Sequence, residues 1–190
     1  MQKGFTMFEL TITISIMVMV AALVLVNFPQ YNRRVAMGRA AQEISLTLRK
    51  AQARALAVQK FVATGQFPQG YGVFFTRASD KEYILFADLD ENNLYTAGEA
   101  VETIALPTPL LISNLLAKEK TASPGTSLHE LHIVFYRPDP VIVMSGRSTP
   151  TSPPADLLAG DVEIVLSTPE ASFGTRKVVA WTTGQVSVEE

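Results

Sequence analysis

The twelve residues Asp88-Leu-Asp-Glu-Asn-Asn-Leu-Tyr-Thr-Ala-Gly-Glu99 carry acids or amides at the first, third and fifth places and a glutamate at the twelfth. With this spacing a hard cation such as calcium collects oxygens from alternate residues of a loop and closes its shell on a terminal carboxylate. Asp88, Asp90, Asn92 and Glu99 would supply side-chain oxygens, and Leu94 its carbonyl. The sixth place, where such loops use Gly for its backbone freedom, is Asn93, which tolerates the left-handed region better than most residues. The loop follows an expected strand rather than a helix, so it is no EF-hand. The same composition also suits an ordinary hairpin turn.

A different chemistry belongs to Glu9, a single acid inside an apolar run that continues to Phe28. A stretch of about 24 residues at 1.5 Å each reaches roughly 36 Å, enough to cross a hydrocarbon core of about 30 Å. Charge bounds it at both ends, with Lys3 before and Arg33-Arg34 after. An ionised carboxylate inside a bilayer costs several kcal/mol, so a residue of this kind is normally kept for a partner. A secretory signal peptide has a shorter core and ends in small residues. A plain anchor would leave Glu9 without a purpose.

Other reactive groups form no constellation. His129 and His132 lie in His129-Glu-Leu-His132, one residue short of the zinc-protease spacing. On a strand they would point to opposite faces, as partly exposed residues. No nucleophile elbow, phosphate loop or dinucleotide fingerprint is present, and there is no Cys. The chain reads as a non-enzyme.

Two kinds of element must position these groups. Met37, Ala41, Ile44, Leu48, Ala51 and Ala55 recur at alternating spacings of four and three, the apolar seam of one helix face. No Pro or Gly interrupts residues 39–60, so the helix begun in the apolar run is expected to reach residue 62, with local unwinding near Pro29. After Gly65 the pattern changes to short alternating runs between turn residues. Expected strands are 71–76, 82–87, 101–106, 110–116, 128–136, 141–144, 161–167, 176–182 and 185–188. Residues 145–155, rich in Ser, Thr and Pro, read as a surface loop or strand insertion. The fold class is α+β, a long N-terminal helix packed on a mostly antiparallel β head. The divisions are leader 1–4, membrane helix 5–28, amphipathic helix 29–62 and head 63–190.

Gly4-Phe5-Thr6-Met7-Phe8-Glu9 resembles the prepilin signature of type IV pilins and type II secretion pseudopilins, matching it at every position. The resemblance implies a pilin fold and cleavage between Gly4 and Phe5 by a prepilin peptidase, which also methylates the new N-terminal Phe5. It implies that Glu9 pairs with the freed amine of Phe5 on a neighbouring subunit. A buried carboxylate and a buried ammonium are each expensive alone and tolerable together. Implied partners are other pilin or pseudopilin subunits, the inner-membrane assembly platform, and membrane lipid before assembly. The implied location is the bacterial inner membrane, then a pilus or a periplasmic pseudopilus. Leu48–Leu56, Tyr71–Phe74 and the Thr183–Val186 turn are most similar to the minor-pilin branch called the FimT/GspH type. Many major pilins close a loop with a disulfide, and this chain has no Cys to do so.

Charge divides the chain unevenly. Arg33, Arg34, Arg39, Arg49, Lys50, Arg54 and Lys60 face one acid, Glu43, between residues 29 and 60, whereas the remainder to residue 190 carries eight basic and sixteen acidic residues. The acidic head makes nucleic acid an unsuitable partner, since phosphate contacts need a basic surface. A structural filament subunit is the first expectation. Alternatives are a DNA- or ligand-binding minor pilin and a single-pass membrane-anchored binding domain. No cofactor is assigned from the sequence, with calcium the one candidate.

Overall fold

In a computed structural model, residues 4–118, 125–137, 142–157, 160–170 and 174–189 are described, the side chains of 26–29 excepted. Two compact units result, Met1–Ala36 and Met37–Glu190, and one helix, α1 (Met7–Leu56), contributes to both. The chain stays helical through Pro29, so the unwinding expected there is not found.

In the first unit, residues 4–25 are exposed along their whole length. Their few hydroxyls turn back on the helix: Thr11 Oγ1 donates to Phe8 O at 2.8 Å, Thr13 to Leu10 O at 2.9 Å and Ser15 to Thr11 O at 2.8 Å. Satisfied locally, these groups keep the surface compatible with an apolar surrounding.

In the second unit the seam read from the sequence is the buried face of α1. Met37, Ala41, Ile44, Leu48, Ala51 and Ala55 are all at most 3% exposed. Each large side chain removed from water contributes about 1.5–3 kcal/mol. The helix ends at Leu56 rather than at 62. Val58 N–H donates to Ala55 O at 3.2 Å and Gln59 N–H to Arg54 O at 3.4 Å, the paired bonds of a Schellman cap. Such a cap needs a left-handed residue, and here it is Val58, with φ of 50°. A β-branched residue pays about 1–2 kcal/mol there, which Gly avoids. Val58→Gly, net of its greater unfolded-state entropy, is expected to stabilise the protein by about 1 kcal/mol, raising the thermal midpoint by about 2–4 °C.

Two antiparallel sheets follow. The first runs β1 (Gly70–Thr76), β2 (Glu82–Asp88), β3 (Ala100–Ala105), β6 (Glu130–Tyr136), β7 (Ile142–Arg147) and β8 (Ala155–Asp156), in the order β3-β2-β1-β6-β7-β8. The second contains β4 (Leu111–Lys118), β5 (Thr126–Leu128), β9 (Asp161–Ser167), β10 (Arg176–Trp181) and β11 (Val186–Glu189), in the order β11-β10-β9-β4-β5. The architecture is α+β.

In the first sheet, Val73 pairs with Leu85 and Ile133, and Phe75 with Tyr83 and Leu131, so these residues share one face. Helix α1 meets this face: Thr47 Oγ1 lies 3.4 Å from the Tyr83 hydroxyl. At its edge Lys50 reaches Glu102 at 2.5 Å. The opposite face carries Gly72, Phe74, Phe86, Asp88, His132 and Tyr136. The Phe86 ring occupies the space above Gly72, where a Cβ would come within 2.7 Å of it.

Several expected bounds move. Leu110 precedes β4, and residues 128–136 divide at His129 into β5 and β6. Ser145–Arg147 are not loop but the end of β7, with Ser145 buried and its hydroxyl on Asp156 at 2.8 Å. What remains of the insertion is a tight turn, in which Thr149 and Ser152 exchange N–H to Oγ bonds at 3.1 Å.

Candidate functional site

Helix α1 begins one residue after Thr6, whose Oγ1 accepts the Glu9 N–H at 3.2 Å. That is half of a capping box, and it places the Glu9 carboxylate in the first turn, where the helix dipole favours negative charge. Phe5 is 75% exposed, and a Cβ built on Gly4 meets nothing within 4 Å. The fold therefore makes no demand for glycine at position 4. Lys3 and the rest of the leader lie outside the described residues. Gly4, Phe5 and Glu9 are thus gathered at the exposed start of a helix long and apolar enough to cross a membrane.

The acidic loop lies at the end of β2. Asp88, Asp90 and Glu99 offer carboxylate oxygens that lie within 4.8 Å of one another. Asp88 and Glu99 are buried, 0% and 4% exposed. Their backbone partners explain why the chain closes here. Asp88 Oδ1 accepts Asn92 N–H at 3.3 Å and its Oδ2 accepts Asn93 N–H at 3.2 Å. Glu99 Oε1 accepts Leu89 N–H and its Oε2 accepts Thr96 N–H, both at 2.8 Å. Asn93 does take the left-handed conformation, at φ 65°, as does Glu91 at 62°.

Of the five ligands anticipated, the three acids, Asp88, Asp90 and Glu99, come together. Asn92 Oδ1 accepts Leu94 N–H at 2.7 Å, while its amide nitrogen donates to Asp90 Oδ2 at 2.8 Å. Burial holds the Asp88 carboxyl above the usual carboxylate range, the bond from Asn93 opposes this, and Glu99 adds to it. Tyr136, whose hydroxyl reaches Asp88 Oδ2 at 3.4 Å, is pushed up to about 12, by burial first and then by Asp88. The carboxylates could add a hard cation, yet Asp88 and Glu99 each already take two backbone donors and Asp90 takes the Asn92 amide. Chelation of divalent cations is therefore expected to shift the thermal midpoint by less than about 2 °C, under about 1 kcal/mol for this length. A larger loss in a calorimetric scan with and without chelator would make an ion the staple of the loop.

His132 is the group that sequence reasoning misplaced. It is 3% exposed rather than partly exposed, because the loop after β2 folds over its face of the sheet. Its Nδ1 accepts Tyr95 N–H at 3.0 Å, and its ring stacks on Phe74 with centroids 4.6 Å apart. Nε2, which must carry the proton, is buried without a partner among the described residues. Burial first, and Arg147 second, lower its pKa to about 4. His129, half-buried at the bend between β5 and β6, is not on a strand. The only sequence signal for a buried His132 was its place in the apolar run Leu131–Phe135.

On the second sheet Glu163, 3% exposed, bridges Lys118 and Lys177, so its burial is matched by charge on both sides. No family model, no curated protein and no solved structure matches this chain.

Proposed function

We propose that this chain is a subunit of a pilin-type filament, a type IV pilus or a type II secretion pseudopilus, of the minor-pilin kind. One observation carries the reading: a single helix is exposed along a predominantly apolar stretch from Met7 to Leu25, holds Glu9 in that stretch, and buries one face in a β unit from Met37 to Ala55. Exposed apolar surface of that extent needs lipid or other protein around it.

The chain is inserted in the bacterial inner membrane with Lys3 on the cytoplasmic side and the head outside. A prepilin peptidase hydrolyses the Gly4–Phe5 bond, and the freed amine of Phe5 is methylated. The assembly platform then draws the subunit into the filament as Glu9 pairs with the Phe5 amine of a neighbour. In that pairing two charges that are costly apart in an apolar interior satisfy each other only at the correct stagger. The chain itself performs no catalysis, and its head has the pilin fold.

Gly4→Leu tests the processing step cleanly, since the open space at Gly4 leaves the fold indifferent to the substitution. Immunoblots of membranes are expected to show wild type shortened by its leader and the variant uncut. Cleavage of both at the same place would contradict the reading.

A further inference from the structure

Beyond the last turn of α1, the chain doubles back to form a cavity of about 430 Å³. Its walls are Arg54 of the helix, Lys60, Phe61 and Val62 of the returning loop, Tyr71 of β1 and Val101 of β3. Cavities of this size and mixed lining are the ordinary form of small-ligand sites.

Two cations stand in it without an acid. Among the described residues, neither Arg54 nor Lys60 belongs to an ion pair, whereas Lys50, one turn before Arg54, is matched to Glu102. Each is instead set against an aromatic ring: Arg54 Cζ lies 6.0 Å from the Tyr71 centroid, and Lys60 Nζ lies 4.9 Å from that of Phe67. Arg54 is half-buried, so its guanidinium loses part of its hydration before any anion arrives. The rest of the lining joins Gln59 to aromatic and apolar residues, and Val62 at the rim is 95% exposed.

The wall is held in place at some expense. Val58 sits in the left-handed region, and the Tyr71 hydroxyl donates to Gln59 O at 3.0 Å, pinning the segment that presents Lys60. Phe61 N–H to Gln66 O and Gly65 N–H to Phe61 O, both 2.8 Å, close the loop behind it. Strain kept by a β-branched residue at a loop that carries an unpaired cation is the pattern of a preorganised binding wall.

From the unpaired Arg54 and Lys60, the aromatic and apolar lining and the strained wall, we infer that this cavity binds a carboxylate borne on a compact apolar body. A guanidinium donates two parallel N–H bonds to the oxygens of a planar carboxylate, Lys60 adds a point charge, and Phe61, Val62 and Val101 cover the apolar part. Tyr71, whose hydroxyl is raised by burial against the pull of Arg54, stays protonated and continues to hold Gln59. The carboxylate has two possible sources, a free small acid or a side chain of a second copy.

The experiment is titration of the detergent-solubilised full chain with benzoate, followed by saturation-transfer NMR, with benzamide as the neutral isostere in the same micelles. Saturable benzoate binding is expected, weakened tenfold or more in Arg54→Gln/Lys60→Gln and absent for benzamide. A thermal scan confirms that the variant is folded, both side chains being outside the core. Sedimentation with and without benzoate then assigns the source: dissociation of an oligomer means a second copy supplies the acid, and unchanged sedimentation means a free acid does. Binding that fails to saturate, or that is equal in the variant or for benzamide, overturns the inference.

Discussion

On the proposed filament reading, a chain carrying Glu9→Val is expected to be inserted and cut at Gly4 to the same extent as wild type, yet to enter filaments tenfold less or worse. Tenfold corresponds to about 1.4 kcal/mol. In the proposed filament the pairing would supply that and more, because an unpaired buried charge costs several kcal/mol and the Phe5 amine would bring one in every incoming subunit. The competing local role is smaller. Glu9 in the first turn of a helix capped by Thr6 is worth about 0.3–1 kcal/mol through the dipole, a loss that affects helix fraying rather than assembly. Glu9→Gln separates the pairing from a capping role, since Gln keeps a capping-box side chain at this position while removing the charge, and the dipole contribution lost with that charge is less than tenfold. If the charge matters, Gln fails as Val does. If sheared filament preparations contain the Gln variant at wild-type levels while Val is lost, Glu9 is a cap and no more.

The second large effect is acid destabilisation through His132. Its pKa is about 4 in the folded protein against the ordinary 6.5, so the unfolded chain binds the proton first. Stability is therefore full above pH 6.5, falls as pH drops towards 4, and changes no further below that. Some 2.5 pH units at 1.36 kcal/mol each give a loss of about 3 kcal/mol. Protonation also places a hydrogen on Nδ1 and ejects the Tyr95 N–H, releasing the cover of this sheet face. The groups around the ring are Phe74, Phe86, Tyr95 and Arg147, none of them an acid that would hold the imidazolium. Asp88 and Asp161, both raised by burial, act in the opposite sense, because the folded state holds their protons more tightly. The measurement is therefore a comparison. His132→Phe keeps the stacking, loses the Tyr95 bond and is less stable at pH 7, but the gap to wild type narrows by about 3 kcal/mol between pH 6.5 and 4. Parallel denaturation profiles across that window would refute the assignment.

Elements governed by repeating patterns were legible in the sequence. The seam from Met37 to Ala55 follows the helical period because one wall of the core must be apolar at that period. Expected residues 161–167 coincide with β9, since turn residues bound an apolar run on both sides. The Thr183-Gly184 turn between β10 and β11 is present, with Gly184 at φ 88°. Asn93 was placed in the left-handed region by its position in the dodecapeptide alone.

What escaped has common physical causes. The end of α1 carries no Gly or Pro, because Val58 is forced into the conformation that Gly normally marks. Strands β5 and β8, of three and two residues, are too short to display alternation. The burial of His132 depends on a loop from elsewhere in the chain covering a face that alternation alone would leave in water. At the acidic loop, the spacing of Asp88, Asp90 and Glu99 was legible. The bond from the Leu94 N–H to the Asn92 amide oxygen was not, as it depends on the path of the loop backbone.

The most direct test of the filament account is tandem mass spectrometry of the N-terminal peptide of the protein from its native membrane. The account predicts a chain that begins with N-methylated Phe5. A chain retaining Met1, or cut near Ala21-Ala22 as a secreted protein would be, contradicts it.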